Sequence, residues 1–211
     1  NPGITQPKTD TDTTQHAFYF EDAWRFSDKW QLLFGARRDL SDYDRRDRLT
    51  GVSFGKKLAG TSWRLGLTHF VSEDLSVYGQ LSRGYDPIDN MLSLSLANSA
   101  FKLASAKQVE VGLKQQFGQG LGEWTAAIYR IEKDDIITRD PVQPAISVQG
   151  GSQHSKGIEL SAVLRPTRQL MFEGNYALID AEFDELVEAG GADRAGNRPS
   201  RLGPRAGGLC Q

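Results

Sequence analysis

Four times along this chain, two stretches of alternating apolar and polar residues face each other across a short turn, and long polar segments separate one such pair from the next. In "VEVGLKQQF", Val109, Val111 and Leu113 alternate with Glu110, Gly112 and Lys114, and after the turn marked by Gly118, Gly120 and Gly122 the residues Trp124, Ala126 and Ile128 alternate again. A period of two is that of a β-strand whose two faces differ. The first pair reads "HAFYFEDAWRF", "SDK", "WQLLFGARRDL", with Phe18, Phe20, Trp24 and Phe26 on one face, followed by Trp30, Leu32 and Phe34. The second, "TSWRLGLTHFV", "SED", "LSVYGQLSRGY", aligns Trp63, Leu65 and Leu67 and then Leu75, Val77, Gly79 and Leu81. The fourth, "SKGIELSAVL", "RPTRQ", "LMFEGNYALIDAEF", carries Ile158, Leu160, Ala162 and Leu164 and then Leu170, Phe172, Gly174 and Tyr176. This makes about eight strands of roughly ten residues, longer than the five or six usual in soluble sheets.

Such strands fit two solvents. A soluble sandwich or barrel hides the apolar face in a protein core, whereas a membrane barrel turns it to lipid and keeps the polar face in its lumen. No run of apolar residues approaches a membrane-spanning helix, and the mean hydropathy of -0.47 is compatible with either solvent, because half of every barrel strand is polar. The connections discriminate better. Asp39 to Gly60, Asp86 to Ala106 and Lys133 to Gln153 read as long polar loops alternating with tight turns, the arrangement of outer-membrane barrels with short periplasmic turns and long extracellular loops. Aromatic residues gather beside the tight turns, among them Trp24, Phe26, Trp30, Phe70, Phe117, Trp124 and Phe172, as in a girdle at lipid headgroup level. A propeller would need four short strands in each period, and its blade signatures are absent.

Composition removes other classes. The 211 residues hold 25 Lys plus Arg against 27 Asp plus Glu, a formal charge of -2 with no basic excess for nucleic acid. Cys210 is the single cysteine, so neither an internal disulfide nor a thiolate metal site is expected. His16, His69 and His154 lie on different elements, and no serine elbow, carboxylate pair or metal motif suggests an enzyme. Gly118, Gly120 and Gly122 lack the helix and Lys-Ser/Thr pair of a phosphate loop. "RRDLSDYDRRDR", Arg37 to Arg48, mixes charges and reads as a solvated outer loop. No secretory signal opens the chain, and the start at Asn1 without Met suggests a piece of a longer protein.

"VYGQLSRGYDP", "SAKQVEVGLK", "WTAAIYRIEKDDIITRDP", "GIELSAVLRPTRQL" and "NYALIDAEFDE" followed by "GNRP" resemble, in that order, the C-terminal barrel of TonB-dependent siderophore receptors, over about Ala17 to Pro199. The resemblance implies an all-β fold, an antiparallel transmembrane β-barrel segment contributing about eight strands to a plugged barrel of about 22. It implies location in the bacterial outer membrane and gated import of ferric siderophores. The partners would be the ferric siderophore, outer-membrane lipid and, through an N-terminal plug missing here, a TonB-type coupling protein. The iron would arrive in its chelator, so neither a cofactor nor a protein metal ligand is expected.

On this reading residues 1–15 are a linker from a missing upstream part, 16–181 are barrel strands, and 182–211 are an extracellular loop with an atypical tail, "RLGPRAGGLCQ", whose glycines and proline suit a strand poorly. Glu110, Lys114, Glu159, Glu173 and Asn175 would line the lumen and face the plug. Anionic chelates call for aromatic faces and Arg donors near the outer rim, which selects Arg83, Tyr85, Tyr129, Arg130 and Arg139 as candidate substrate-binding residues. The competing readings are a passive outer-membrane pore or adhesin and a soluble small-ligand-binding β-barrel.

Overall fold

The computed structural model describes residues 9–86, 101–140, 142–143, 147–188, 191–199 and 206–209. Eight long strands run antiparallel in chain order: β1 (Thr9–Ser27), β2 (Trp30–Asp47), β3 (Ser53–Phe70), β4 (Leu75–Tyr85), β5 (Ser105–Phe117), β6 (Gly122–Arg139), β7 (Ser147–Thr167) and β8 (Leu170–Glu185). Val187–Glu188 (β9) and Ala192–Asp193 (β10) form a small separate hairpin, and Ala206–Leu209 (β11) pairs with β8. The main sheet keeps the order β1 to β8 and then β11, so within this chain it remains an open wall.

Directly opposed residues of an antiparallel pair share a face, so the ladder can be followed across all eight strands. Trp24, Leu32, Leu67, Gly79, Val111, Ile128, Ile158 and Leu178 form one continuous row. The adjacent row, on the other face, is Ala23, Leu33, Gly66, Gln80, Glu110, Tyr129, Gly157 and Ile179. The first face is apolar and uncovered: Trp24 is 62%, Val111 48% and Ile128 58% exposed. No protein core covers that face among the described residues, as a soluble sandwich would require; it is the lipid side of a barrel wall.

The lower rim carries the short turns. Asp28 and Lys29 join β1 to β2, with the Ser27 hydroxyl accepting from the Lys29 amide at 3.3 Å. Ser72 caps the β3–β4 turn by accepting from the amides of Asp74 and Leu75. The β5–β6 turn places Gly118, Gln119 and Gly120 at positive φ, a conformation that glycine takes without a Cβ clash at 118 and 120. Aromatic residues cluster here: the Trp24 and Phe26 rings lie 5.5 Å apart, Trp30 packs on His69 at 4.3 Å, and Arg25 lies over the Phe70 ring at 4.6 Å. The Trp124 indole donates to Gln115 at 3.1 Å, which satisfies the polar edge of the ring.

The upper rim departs from the sequence reading in extent. Arg37 to Asp47 is strand rather than loop, and only residues 48–52 connect β2 to β3. Eighteen residues at about 3.3 Å each outrun an apolar band about 25 Å tall even when tilted, so these hairpins project beyond the bilayer. Charged and polar pairs hold the projection: Lys57 with Asp42 at 3.5 Å, Arg48 with Asp10 at 2.5 Å, and Arg45 with the Thr9 hydroxyl at 3.4 Å. The strand region is accordingly wider than residues 16–181, since β1 begins at Thr9 and β8 ends at Glu185. In the tail, expected to break the pattern, Ala206–Leu209 takes the free edge of β8, where unpaired backbone groups accept even a glycine-rich segment.

Candidate ligand-binding site

At the upper end of the polar face, a cleft of about 330 Å³ is lined by Arg37, Ser41, Leu58, Gly60, Tyr85 and Leu103 among others. The alternation of β2 sets Arg37, Asp39, Ser41 and Tyr43 on this face, and register sets Ser62, Gly60 and Leu58 across from the first three. Gly60 opens the space for Tyr85, whose ring atoms lie 3.1 Å from where a Cβ on residue 60 would stand. The Arg37 guanidinium donates to both carboxylate oxygens of Asp39, at 2.8 to 3.0 Å. That pairing raises the Arg37 pKa above its ordinary value, through the Asp39 hydrogen bond first and its charge second. The cleft thus combines an aromatic face, aliphatic walls and a fixed guanidinium-carboxylate pair, a set suited to a compact polar ligand with a flat apolar part.

One wall is a short segment preceding β5. Phe101 and Leu103 pack against the buried pair Tyr43 and Leu58. The Lys56 ammonium donates to the Phe101 carbonyl, and burial there lowers the Lys56 pKa. The Gln149 side chain of β7 grips the Lys102 backbone from both sides, accepting from its amide and donating to its carbonyl, each at 2.7 Å. Asp86 donates its backbone amide to the Ala104 carbonyl at 2.8 Å and pairs with Lys133 at 2.8 Å.

Lower on the same face lies a second polar group. Tyr78 donates to Glu110 at 2.8 Å, and Gln108 donates to the other oxygen of Glu110, also at 2.8 Å. Glu159, Thr125 and Asn175 join Tyr78 and Glu110 around a hollow of about 320 Å³. Among the described residues neither Glu110 nor Glu159 has a cationic partner. Lys114 is paired instead with Glu123 at 3.3 Å.

The sequence-selected residues divide between these places. Arg83 and Tyr85 come together, with the guanidinium 5.4 Å from the ring centroid, although in register Arg83 stands opposite Trp63 and Lys107 at the upper limit of the apolar rows. Tyr129 is on the polar face, its hydroxyl 2.8 Å from where a Cβ of Gly157 would stand. It is level with Gln80, five residues below Tyr85, or about 17 Å along the strand. Arg130 follows Tyr129 and therefore lies on the opposite face, across from Val109 and Lys156, where it pairs with Glu132 at 2.9 Å. Arg139 ends β6 opposite Ser147, and its side chain lies outside the described residues. The structure therefore joins Arg83 and Tyr85, leaves Tyr129 well below Tyr85 on the wall, and sets Arg130 on the face of the apolar rows, one step below the row of Arg83 and Lys107. Sequence reasoning missed Arg37, Asp39, Gly60 and Gln149; the parity of Arg37 and Asp39 within "ARRDL" was the available signal for the first two.

A family model described as TonB dependent receptor-like, beta-barrel, matches residues 1–209. The metal-pseudopaline receptor CntO of Pseudomonas aeruginosa is 25% identical over 197 residues, covering 90% of this chain and 27% of that receptor. The ferrichrome outer membrane transporter/phage receptor of Escherichia coli is 25% identical over 169 residues, covering 80% of this chain and 22% of its own length. In fold, the chain is similar to the siderophore receptor PiuA from Acinetobacter baumannii, with a TM-score of 0.80 at 20% identity over 96% of this chain and 31% of the receptor. This chain spans about a quarter of the length of the curated relatives it matches.

Proposed function

The chain belongs to the TonB-dependent receptor β-barrel family of outer-membrane receptors and transporters, and on that premise we propose that it is part of the wall of a receptor importing ferric siderophores by binding and gated transport. One observation carries the reading: a single sheet presents an uncovered apolar face and, behind it, a polar face with a cleft at its outer end. An adhesin would need only the first, and a soluble ligand barrel would hide it. The chelate enters from outside and meets Tyr85 and Arg37 in the upper cleft, with Arg83 beside Tyr85. Aromatic stacking and guanidinium donation suit an anionic chelate. Iron travels as substrate within the chelate, and no resident cofactor takes part.

Among the described residues Glu110 and Glu159 face the lumen without cationic partners, a state that an opposite charge would relieve. They suit a plug segment bearing Lys or Arg, whose withdrawal under the pull of a TonB-type partner would open the path. Tyr129, on the same wall, stands at plug level. Arg130, on the outward face, suits the outer-leaflet boundary rather than ligand. The test is growth on a panel of ferric chelates after deletion of the native gene and its restoration. Loss of one chelate's uptake, recovered by the wild-type gene and reduced at least ten-fold in chelate affinity by Tyr85→Ala, is expected; unchanged uptake of all of them removes the siderophore reading.

A further inference from the structure

The segment from Phe101 to Ala104 walls the cleft through Leu103 yet belongs to none of the strands that build it. Its hold is divided. On one side Phe101 and Leu103 lie on Tyr43 and Leu58, and Lys56 donates to the Phe101 carbonyl. On the other, Gln149 of β7 binds the Lys102 amide and carbonyl, both at 2.7 Å, and also donates to the Asp135 carbonyl at 2.9 Å. One side chain therefore ties the segment to the β6–β7 hairpin. In the closed position Tyr43 is 1% exposed and its hydroxyl has no hydrogen-bond partner among the described residues. A buried donor without an acceptor is costly, and moving the segment away would return that hydroxyl to water. Lys56, whose ammonium is partly desolvated beneath the segment, would exchange its bond to the Phe101 carbonyl for water on opening. Hence opening relieves one cost of the closed state, while the Gln149 bonds, the Lys56–Phe101 and Asp86–Ala104 bonds and the packing of Phe101 and Leu103 oppose it, and a ligand that favours one of the two states shifts the balance between them.

Resting on the ligand-binding reading above, we propose that Phe101–Ala104 is a displaceable strap over the Tyr85 cleft and that Gln149 is its latch, setting the rates at which ligand enters and leaves. Gln149 acts on the strap and not on the ligand, so it is a positioning residue. Arg37, Asp39 and Tyr85 behind the strap set affinity instead.

The first measurement needs no ligand. In the receptor expressed from its native gene with Cys210→Ser, Leu58→Cys places a thiol under the strap, where residue 58 is 8% exposed. Its labelling on whole cells by a membrane-impermeant maleimide is followed with and without Gln149→Ala. At least five-fold faster labelling in Gln149→Ala is expected, with no change in a Gln169→Ala control at the opposite rim; equal rates in the presence and absence of Gln149→Ala would overturn the strap. The second uses ferrichrome as probe. Gln149→Ala should raise the association and dissociation rates together, each at least three-fold, leaving Kd within two-fold, whereas Tyr85→Ala raises Kd through dissociation. A rise in dissociation alone for Gln149→Ala would make Gln149 a direct contact and overturn the latch. Absence of chelate binding by the wild-type receptor counts against the transport reading, while the labelling experiment still decides the strap.

Discussion

Single glycines on the polar face are shaped to single tyrosines. A Cβ at residue 112 would stand 2.5 Å from the Tyr78 ring, so Gly112→Ala should destabilise the folded barrel by about 1–3 kcal/mol through overpacking. Combining it with Tyr78→Ala should recover part of that loss, because the two changes share one contact. Heat-induced unfolding of the purified receptor measures both, and strictly additive losses would show that the ring is not what residue 112 meets. At the β2–β3 tip, Asp47 accepts from the backbone amides of Leu49 at 2.8 Å and Thr50 at 3.1 Å. These bonds, Thr50 first, hold its carboxyl below the ordinary 3.8. The folded value is the depressed one, so the tip's stabilisation is present above about pH 4 and is lost as pH falls through the folded pKa. The Leu49 and Thr50 amide resonances should titrate together with a midpoint below 3.8, and Asp47→Asn should abolish that titration.

Within the apolar rows each strand separates two environments by parity, and the rule ends at the upper rim, where Tyr85 shares the parity of Gly79 yet lies against Gly60. Ile128→Arg places a cation on the lipid side and should cost about 2–4 kcal/mol, seen as lost assembly into the outer membrane. Ser161→Arg, on the polar face beside Glu159, should assemble normally. Comparable losses from both would mean that the faces are not chemically distinct. Parity was legible in the sequence wherever apolar residues marked it, which is why the hairpins around Asp28, Ser72, Gly118 and Arg168 are found where the alternation places them. Above the bilayer the outward face also meets water, so Asp42, Asp44 and Arg46 follow Leu40 there and no apolar alternation marks the strand. Arg37 to Asp47 therefore reads as a loop although it is strand, held by cross-strand charges. Tyr129 and Arg130 read in the sequence as two residues near the outer rim, but β6 runs on to Arg139 and neighbours in a strand cannot share a side. Gln149 gave no signal at all, since its partner is the backbone of Lys102, 47 residues away.

At the scale of the whole wall, the function depends on which side of the sheet meets lipid. The row from Trp24 to Leu178 and its neighbour from Ala23 to Ile179 differ by one residue of register, and that step separates bilayer from lumen. Spin labels at Ala126, Ala127, Ile128, Tyr129, Ile158, Glu159 and Leu160, placed one at a time in the receptor in its native membrane, read that step directly. Collisions with dissolved oxygen should dominate at Ala126, Ile128, Ile158 and Leu160, and collisions with a water-soluble nickel chelate should be relatively greater at Ala127, Tyr129 and Glu159. Uniform accessibility along β6 and β7, or the opposite alternation, would contradict the assignment of the apolar face to lipid and with it the receptor wall.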